Sequence, residues 1–525
     1  MNETASFSVP SFRRFVPEKL RPWIILFFVI IFQLSGGVYL AAVSEMVGSL
    51  DLRHEDVMMA GYASLTGMAL TFTIMFRLKF RFTLTTSMLV CCIALILCNL
   101  ICMHTHSVPV LVGTCFVAGI FRMWATFSCN STIQLWITPI RDLSVFFCFV
   151  NVLVQGCLQF SGLITVYTAF FSAWEYMHLL IIGLLGLMAS AVWILFRPHH
   201  FLQKFPLYGI DWLGGFLWGL TVLSLVFVCV YGEYYDWYVS TYIRIATIVC
   251  ILTLGLNLWR ASFIRHPYIA LKTWTFKVVY LTFAAYIVID ILLAPAHVFE
   301  HAYMENLLGY DNLNVISFNW ILFAGIVAGC FFTYHAFALR KWQYRTMNVI
   351  GLSAIIAYLM LFYFGIDYDV PKTALMLPLF LRGFGYVIIA ICFLTLLTRV
   401  PFIPFFPQSL SVQAFVSAVI GGALGDAVVG QVLKTVVKRN SLLMGVNIDH
   451  VNPLIGQFST VELYAAVQQQ ALMVSMKEVY GWLVLLGIFC LLLILINESH
   501  FRPKNTIEPT YKTIRKMVMN LYKRT

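Results

Sequence analysis

The sequence predicts an all-α membrane protein with 14 transmembrane helices, built as two six-helix bundles plus an inserted helix pair. Three observations predict it. The 525 residues are 61% hydrophobic and only 11% charged, a balance foreign to soluble domains. The apolar residues gather between Trp23 and Ile496 into fourteen stretches, each close to the ~20 residues that a helix needs to cross a bilayer. In lipid each crossing must satisfy its own backbone groups, which favours helices.

The first six spans are read at 22–44, 57–76, 82–103, 108–130, 143–168 and 174–196. A polar leader of 21 residues precedes the first, which is too long for a signal segment and lacks a small-residue cleavage site. The second ends in the basic run Arg77 to Arg81, and the fourth carries Arg122. These spans form an N-terminal bundle, residues 1–196, closed by the basic linker Arg197 to Gly209. Residues 197–273 hold that linker and a hairpin of two spans, 211–232 and 239–259. The C-terminal bundle, residues 274–497, has spans at 274–296, 315–339, 346–365, 372–398, 409–438 and 478–497. Residues 498–525 form a basic tail expected on anionic headgroups. The outer loop Asn440 to Lys477 has helical propensity over Thr460 to Met476, with Thr460 as a cap, and reads as a surface helix, a partner-docking element or an unstructured loop.

Basic residues concentrate in alternate loops, including Arg77, Lys79, Arg81, Arg260, Arg265, Arg340 and Lys341, which predicts that both termini are cytoplasmic. The formal charge of +11 then reflects topology and attraction to the inner leaflet, and no nucleic-acid partner is expected. All 13 cysteines lie within or at the ends of apolar spans and none forms a CxxC pair, so neither a disulfide framework nor a metal site is expected. The histidines, His297 and His301 among them, read as solvated residues near helix ends. Nucleotide-binding and hydrolase motifs are absent from the sequence, so no cofactor and no enzymatic chemistry is expected.

Short motifs carry a family resemblance. Asp211-Trp212-Leu213-Gly214 opens the seventh span as D-W-x-G, and Asp236-Trp237 follows in the next loop. Arg382-Gly383-Phe384-Gly385 matches R-G-x-G in the twelfth, Gly421-Gly422-Ala423-Leu424-Gly425 matches G-G-x-x-G in the thirteenth, and Gln469-Gln470-Ala471 precedes the fourteenth. In order and spacing these resemble the fourteen-helix drug:proton antiporters of the major facilitator superfamily, the EmrB/QacA type, over nearly the whole chain. The resemblance implies that superfamily's fold. The chain departs from it in three places. Phe76 stands where the gating Asp is usual, leaving Arg77 and Arg81 as the basic remnant. The fifth span keeps only Gly156 and Ser161-Gly162, and Ser35 replaces a frequent acid in the first.

Four ionisable residues lie deep in apolar spans: Arg122, Asp290, Arg382 and Asp426. A charge at mid-bilayer costs roughly 2.5–3.5 kcal/mol, so such residues usually face a cavity or a partner. Asp290 is expected to be the proton-coupling residue, exchanging contact with Arg122 or Arg382 for isolation, against the alternative of a permanent Asp–Arg tie. Arg122 and Arg382 are expected in a cavity, together with Gln33, Tyr39, Trp124, Asn130, Tyr286 and Tyr386. Arg77, Arg81, Asp211, Gly383, Gly385 and Asp426 are expected to have structural or gating roles, Asp426 as a polar tie beside packed glycines.

The expected function is proton-coupled efflux of amphipathic small molecules by alternating access. An uncoupled or importing facilitator, and a non-transporting scaffold or sensor, share the predicted fold. The resemblance implies a cell inner membrane and, in a Gram-negative envelope, a periplasmic adaptor protein and an outer-membrane channel as partners.

Overall fold

The computed structural model describes residues 12–37, 43, 46–47, 52–138, 142–198, 206–401, 405–446 and 459–496. Among the described residues fourteen main helices follow one another, and thirteen of them are long and apolar enough to cross a membrane. In chain order they are α1 (Arg21–Leu34), α2 (His54–Arg81), α3 (Leu84–His104), α4 (Val108–Ile137), α5 (Leu143–Phe171), α6 (Glu175–Leu195), α7 (Trp212–Tyr231) and α8 (Thr241–Phe263). Then come α9 (Lys277–Leu307), α10 (Asn312–Leu339), α11 (Tyr344–Gly365), α12 (Lys372–Leu397), α13 (Phe405–Val446) and α14 (Thr460–Ile496).

The exception is α1, with 14 residues where a span to residue 44 was predicted. Its helix stops at Leu34 because Ser35-Gly36-Gly37 leaves the helical region, with Gly37 at φ 83°. The predicted cavity residue Tyr39 lies outside the described residues.

Three helices are interrupted, α10 by a π-helical turn at Tyr334–Leu339. Within α9, Pro295 has no N–H to offer the Ile291 carbonyl, which instead accepts from the Ala294 N–H at 3.4 Å. The helix resumes over Pro295–Val298 and closes on a π-helical turn at Tyr303–Leu307. A third π turn, Val416–Ile420, sits inside α13 just before the glycine run. Such turns widen the helix and frequently mark functional positions.

Residues Thr460 to Met476 are not a separate surface helix. They continue into the last crossing as one helix of 37 residues, ~55 Å long against a hydrocarbon core of ~30 Å. Its overhang is pinned to the end of α13 by Arg439 to Glu478 at 2.6 Å and by Asn440 Nδ2 to Ser475 Oγ at 2.9 Å.

Within each bundle one helix pair packs backbone to backbone, by the same device. In the N-terminal bundle a Cβ added at Gly67 would stand 2.2 Å from the Phe116 carbonyl oxygen, and one at Gly119 1.9 Å from that of Ser64. In the C-terminal bundle the counterparts are Gly325 against Phe380, 2.3 Å, and Gly383 against Leu322, 2.7 Å. Both pairs use residues three apart on each helix, so α2 with α4 and α10 with α12 repeat one packing motif.

The bundles meet along two seams. On one, Ser411 Oγ of α13 donates to the Ala69 carbonyl of α2 at 2.5 Å. On the other, Phe160 of α5 packs on Phe323 of α10 with ring centroids 4.7 Å apart, and Asn319 Nδ2 donates to the Gln159 carbonyl at 3.5 Å. At the end carrying the basic loops, Lys341 Nζ bonds Asp142 Oδ2 at 2.8 Å across the halves. The inserted pair α7 and α8, joined by Thr221 Oγ1 to Thr253 Oγ1 at 2.9 Å, leans on α2 through Gly219 and Leu70.

Candidate functional site

The site starts from the sequence of α9. Asp290 lies 13 residues into this helix, ~20 Å from its basic end at 1.5 Å per residue. Its carboxylate is seated on the backbone of α13 where the π turn ends: a Cβ added at Gly421 would lie 1.8 Å from Asp290 Oδ2 and 2.8 Å from the Val416 carbonyl oxygen. Only a glycine admits that approach. Asp290 Oδ2 is shut off from solvent and has no hydrogen-bond partner among the described residues.

Five residues after Gly421 comes Asp426, which acts electrostatically on Asp290. Its Oδ2 accepts from the hydroxyl of Tyr62 at 3.2 Å. Tyr62 is buried in α2, so this bond crosses from one bundle to the other. Asp426 Oδ1 lies 3.4 Å from His297 Nδ1, and the imidazole is 64% exposed. Two carboxylates, a bundle-bridging phenol and an exposed imidazole therefore gather at one place.

The arginines are elsewhere. Arg382 Nη1 pairs with Glu300 Oε2 at 2.6 Å, with Glu300 buried and Arg382 half-buried. The hydroxyl of Tyr358 donates to the other Glu300 oxygen, and Arg382 lies over the Tyr358 ring at 5.8 Å. Arg122 Nη2 donates to Gln33 Oε1 at 3.1 Å, and Gln33 Nε2 reaches Thr126 Oγ1 at 3.5 Å. The expected exchange of Asp290 with Arg122 or Arg382 thus has no counterpart in this geometry. Asp290 faces a second acid, while Arg382 is committed to Glu300.

The other predicted residues fall into distinct settings. Tyr286, one turn before Asp290, is buried, with its hydroxyl accepting from Gln413 Nε2 at 2.9 Å and its ring 5.1 Å from Phe393. Tyr386 lies beside Gln155 of the other bundle and within electrostatic range of Asp290. Trp124 packs on Phe82, centroids 5.2 Å apart, and its indole N–H is buried without a hydrogen-bond partner, as is Asn130 Oδ1. Gly383 and Gly385 are close-approach positions, the latter with a Cβ site 2.6 Å from the Gly351 carbonyl oxygen.

Asp211 anchors the inserted pair. It caps α7 at the Gly214 N–H, 3.0 Å, pairs with Arg260 at 2.5 Å and accepts from the Tyr268 N–H at 3.2 Å. Tyr268 in turn bonds the Leu70 carbonyl at 2.6 Å, tying the loop to α2. Arg77 lies against Gly209 of the linker, its Nη1 2.9 Å from a Cβ site there, and Arg81 is exposed at the end of α2. Outside the spans, burial would raise the Asp142 carboxyl, but Lys341 and the Ser144 donors outweigh it and hold the group below its ordinary value.

Sequence reasoning missed three participants: Glu300, which lies beyond the ninth span as read, His297, read as a solvated residue near a helix end, and Tyr62. The ninth span was read as ending at 296, so the polar residues beyond it looked solvated. The apolar residues Val298, Phe299 and Tyr303 were the available signal that the crossing resumes.

No family model matches the chain, and no curated protein matches it. Solved structures do resemble it. A mutant of the peptide transporter POT crystallised with sulfate aligns with a TM-score of 0.57 at 13% identity, over 95% of this chain and 98% of that one. A mutant of the nucleoside transporter NupG aligns with a TM-score of 0.55 at 12% identity, over 90% and 99%. An auto-inhibited POT-family peptide transporter gives 0.53 at 10%, over 92% and 98%. At these identities the likeness establishes the architecture: the chain has the all-α major facilitator fold.

Proposed function

We propose that the chain is a secondary active transporter that carries a small amphipathic solute by alternating access and couples the movement to protons at Asp290 and Asp426. The observation that carries this reading is the carboxylate pair itself, sunk at lipid depth on the seam between bundles. Among the described residues neither acid is paired with an arginine, and two carboxylates near one another in a poorly screened space repel, a repulsion that proton uptake relieves. The Tyr62 hydroxyl gives that proton a mechanical consequence. An ionised Asp426 accepts the bond from α2, and a protonated one holds it more weakly, so loading and unloading bias the contact between halves.

Export of drug-like compounds is the finer reading, supported by the motifs at Asp211, Arg382 and Gly421. Proteins of similar fold carry nucleosides and peptides, so the panel of trial solutes must be broad. Both termini inside is the orientation that the loop charges favour, and the inner-membrane address rests on the family resemblance. If export proceeds through an adaptor and an outer-membrane channel, the overhang of α13 and α14 is where the adaptor would touch.

The test is flux in proteoliposomes under an imposed pH gradient across a chemically diverse panel of fluorescent amphiphiles. The reading expects gradient-driven movement of at least one compound, lost in Asp290→Asn. Absence of any gradient-driven flux with correctly folded protein rejects it.

A further inference from the structure

We propose that His297 is the proton relay between the buried carboxylate pair and the water at the acidic end of the molecule, a positioning and exchange role that rests on the proton-site reading above. One oxygen of each acid, Asp290 Oδ2 and Asp426 Oδ1, is closed to solvent, and the Asp426 side chain as a whole is 20% exposed against 64% for His297. His297 reaches from the closed Asp426 oxygen to solvent. One face of its ring is 3.4 Å from Asp426 Oδ1, and the side chain is 64% exposed.

The surroundings leave the imidazole this one task. On its own helix the charged neighbour is Glu300, and from α12 it is Arg382, but these two neutralise each other at 2.6 Å. His301, one turn on, is occupied by Glu305 at 3.1 Å. From α13 the group facing His297 is Asp426. Further along α13, Lys434 pairs with Glu233 of the α7–α8 loop at 3.1 Å. The break at Pro295 brings His297 to Asp426: an unbroken α9 would orient the residues after 294 differently.

The transfer is a balanced acid–base step. The proton on Asp426 Oδ1 passes to Nδ1 of neutral imidazole, leaving a carboxylate and an imidazolium. The imidazolium releases one proton to water on its exposed side and returns to the neutral ring. No electron moves, and the reverse order loads the site.

The relay is measurable without a substrate. Purified full-length protein in lipid nanodiscs is exchanged rapidly into D₂O while infrared absorption follows the carboxylic-acid carbonyl band, assigned by its loss in Asp290→Asn and Asp426→Asn. In His297→Gln the deuterium shift of that band is expected to slow at least about tenfold. In His297→Ala, added imidazole is expected to restore the rate, because the position is open to solution. An unchanged rate in both variants overturns the relay, and so does a slowed rate that imidazole fails to restore. Absence of the band at every pH removes the proton site itself, an outcome distinct from failure of the relay.

Discussion

The two bundles share a way of packing and differ in what they bury. Gly67 with Gly119 and Gly325 with Gly383 bring equivalent helix pairs into backbone contact with the same three-residue offsets. Three residues beyond each second glycine the match ends, with Arg122 in α4 and Tyr386 in α12. The N-terminal bundle holds Arg122 against the neutral amide of Gln33. The C-terminal bundle holds Asp290, Asp426, His297 and the Glu300–Arg382 pair. Repeated glycines thus specify a shared scaffold, and under the proposed coupling the unshared charges put the proton site in one half. The other half contributes Tyr62, the contact through which that chemistry is felt.

The largest way to break this comparison is to neutralise one buried charge in each bundle. Asp290→Asn is expected to reduce gradient-driven flux to the level of empty vesicles. Arg122→Gln is expected to keep coupling while altering apparent affinity, and equal loss of coupling in both would erase the distinction between halves.

Next in size is Arg382→Gln, which strands Glu300 in a buried site. About 3–5 kcal/mol of stability should be lost, read by thermal or denaturant unfolding in detergent. Replacing both partners by Leu should recover most of it.

Gly119→Val and Gly383→Val test the shared scaffold. Each pushes a side chain into a backbone carbonyl of the neighbouring helix, with an expected cost of about 1–3 kcal/mol or more. The N-terminal variant should be worse, since its approach is closer, and a thermal-shift comparison ranks them.

The smallest effect concerns the Asp142–Lys341 link at the basic end. Its carboxyl is held below the ordinary value, so the stabilisation is fully present above the unfolded range near pH ~4 and is lost only as pH falls through the lower folded value. Between pH 5 and 8 its contribution to melting temperature should therefore be flat. A melting difference between the protein and Asp142→Asn that varies across that window contradicts the assignment.

Much of the architecture was legible in the sequence because bilayer thickness imposes a length on every apolar run. The crossings and the place of Asp290 within one of them could be read from it. Three failures have physical causes. Gly37 ended the first helix early by adopting a backbone conformation that hydropathy does not register. Thr460 to Met476 looked like a surface element because its composition is polar, yet nothing in it stops a helix, so it joined the last crossing. The partners of the buried charges depended on how α9 and α12 are rotated about their axes. Hydropathy leaves that rotation open where a helix is apolar all round, and the break at Pro295 turned Glu300 and His297 inward. The contact of Asp290 with the π turn of α13 was invisible for the same reason.

The central claim is that the Asp290–Asp426 pair converts a proton gradient into movement of solute. One preparation tests it: Asp290→Asn in proteoliposomes, assayed both for uphill transport under a pH gradient and for substrate counterflow without one. The account predicts that counterflow persists while uphill transport disappears. Uphill transport at the unsubstituted rate would contradict it.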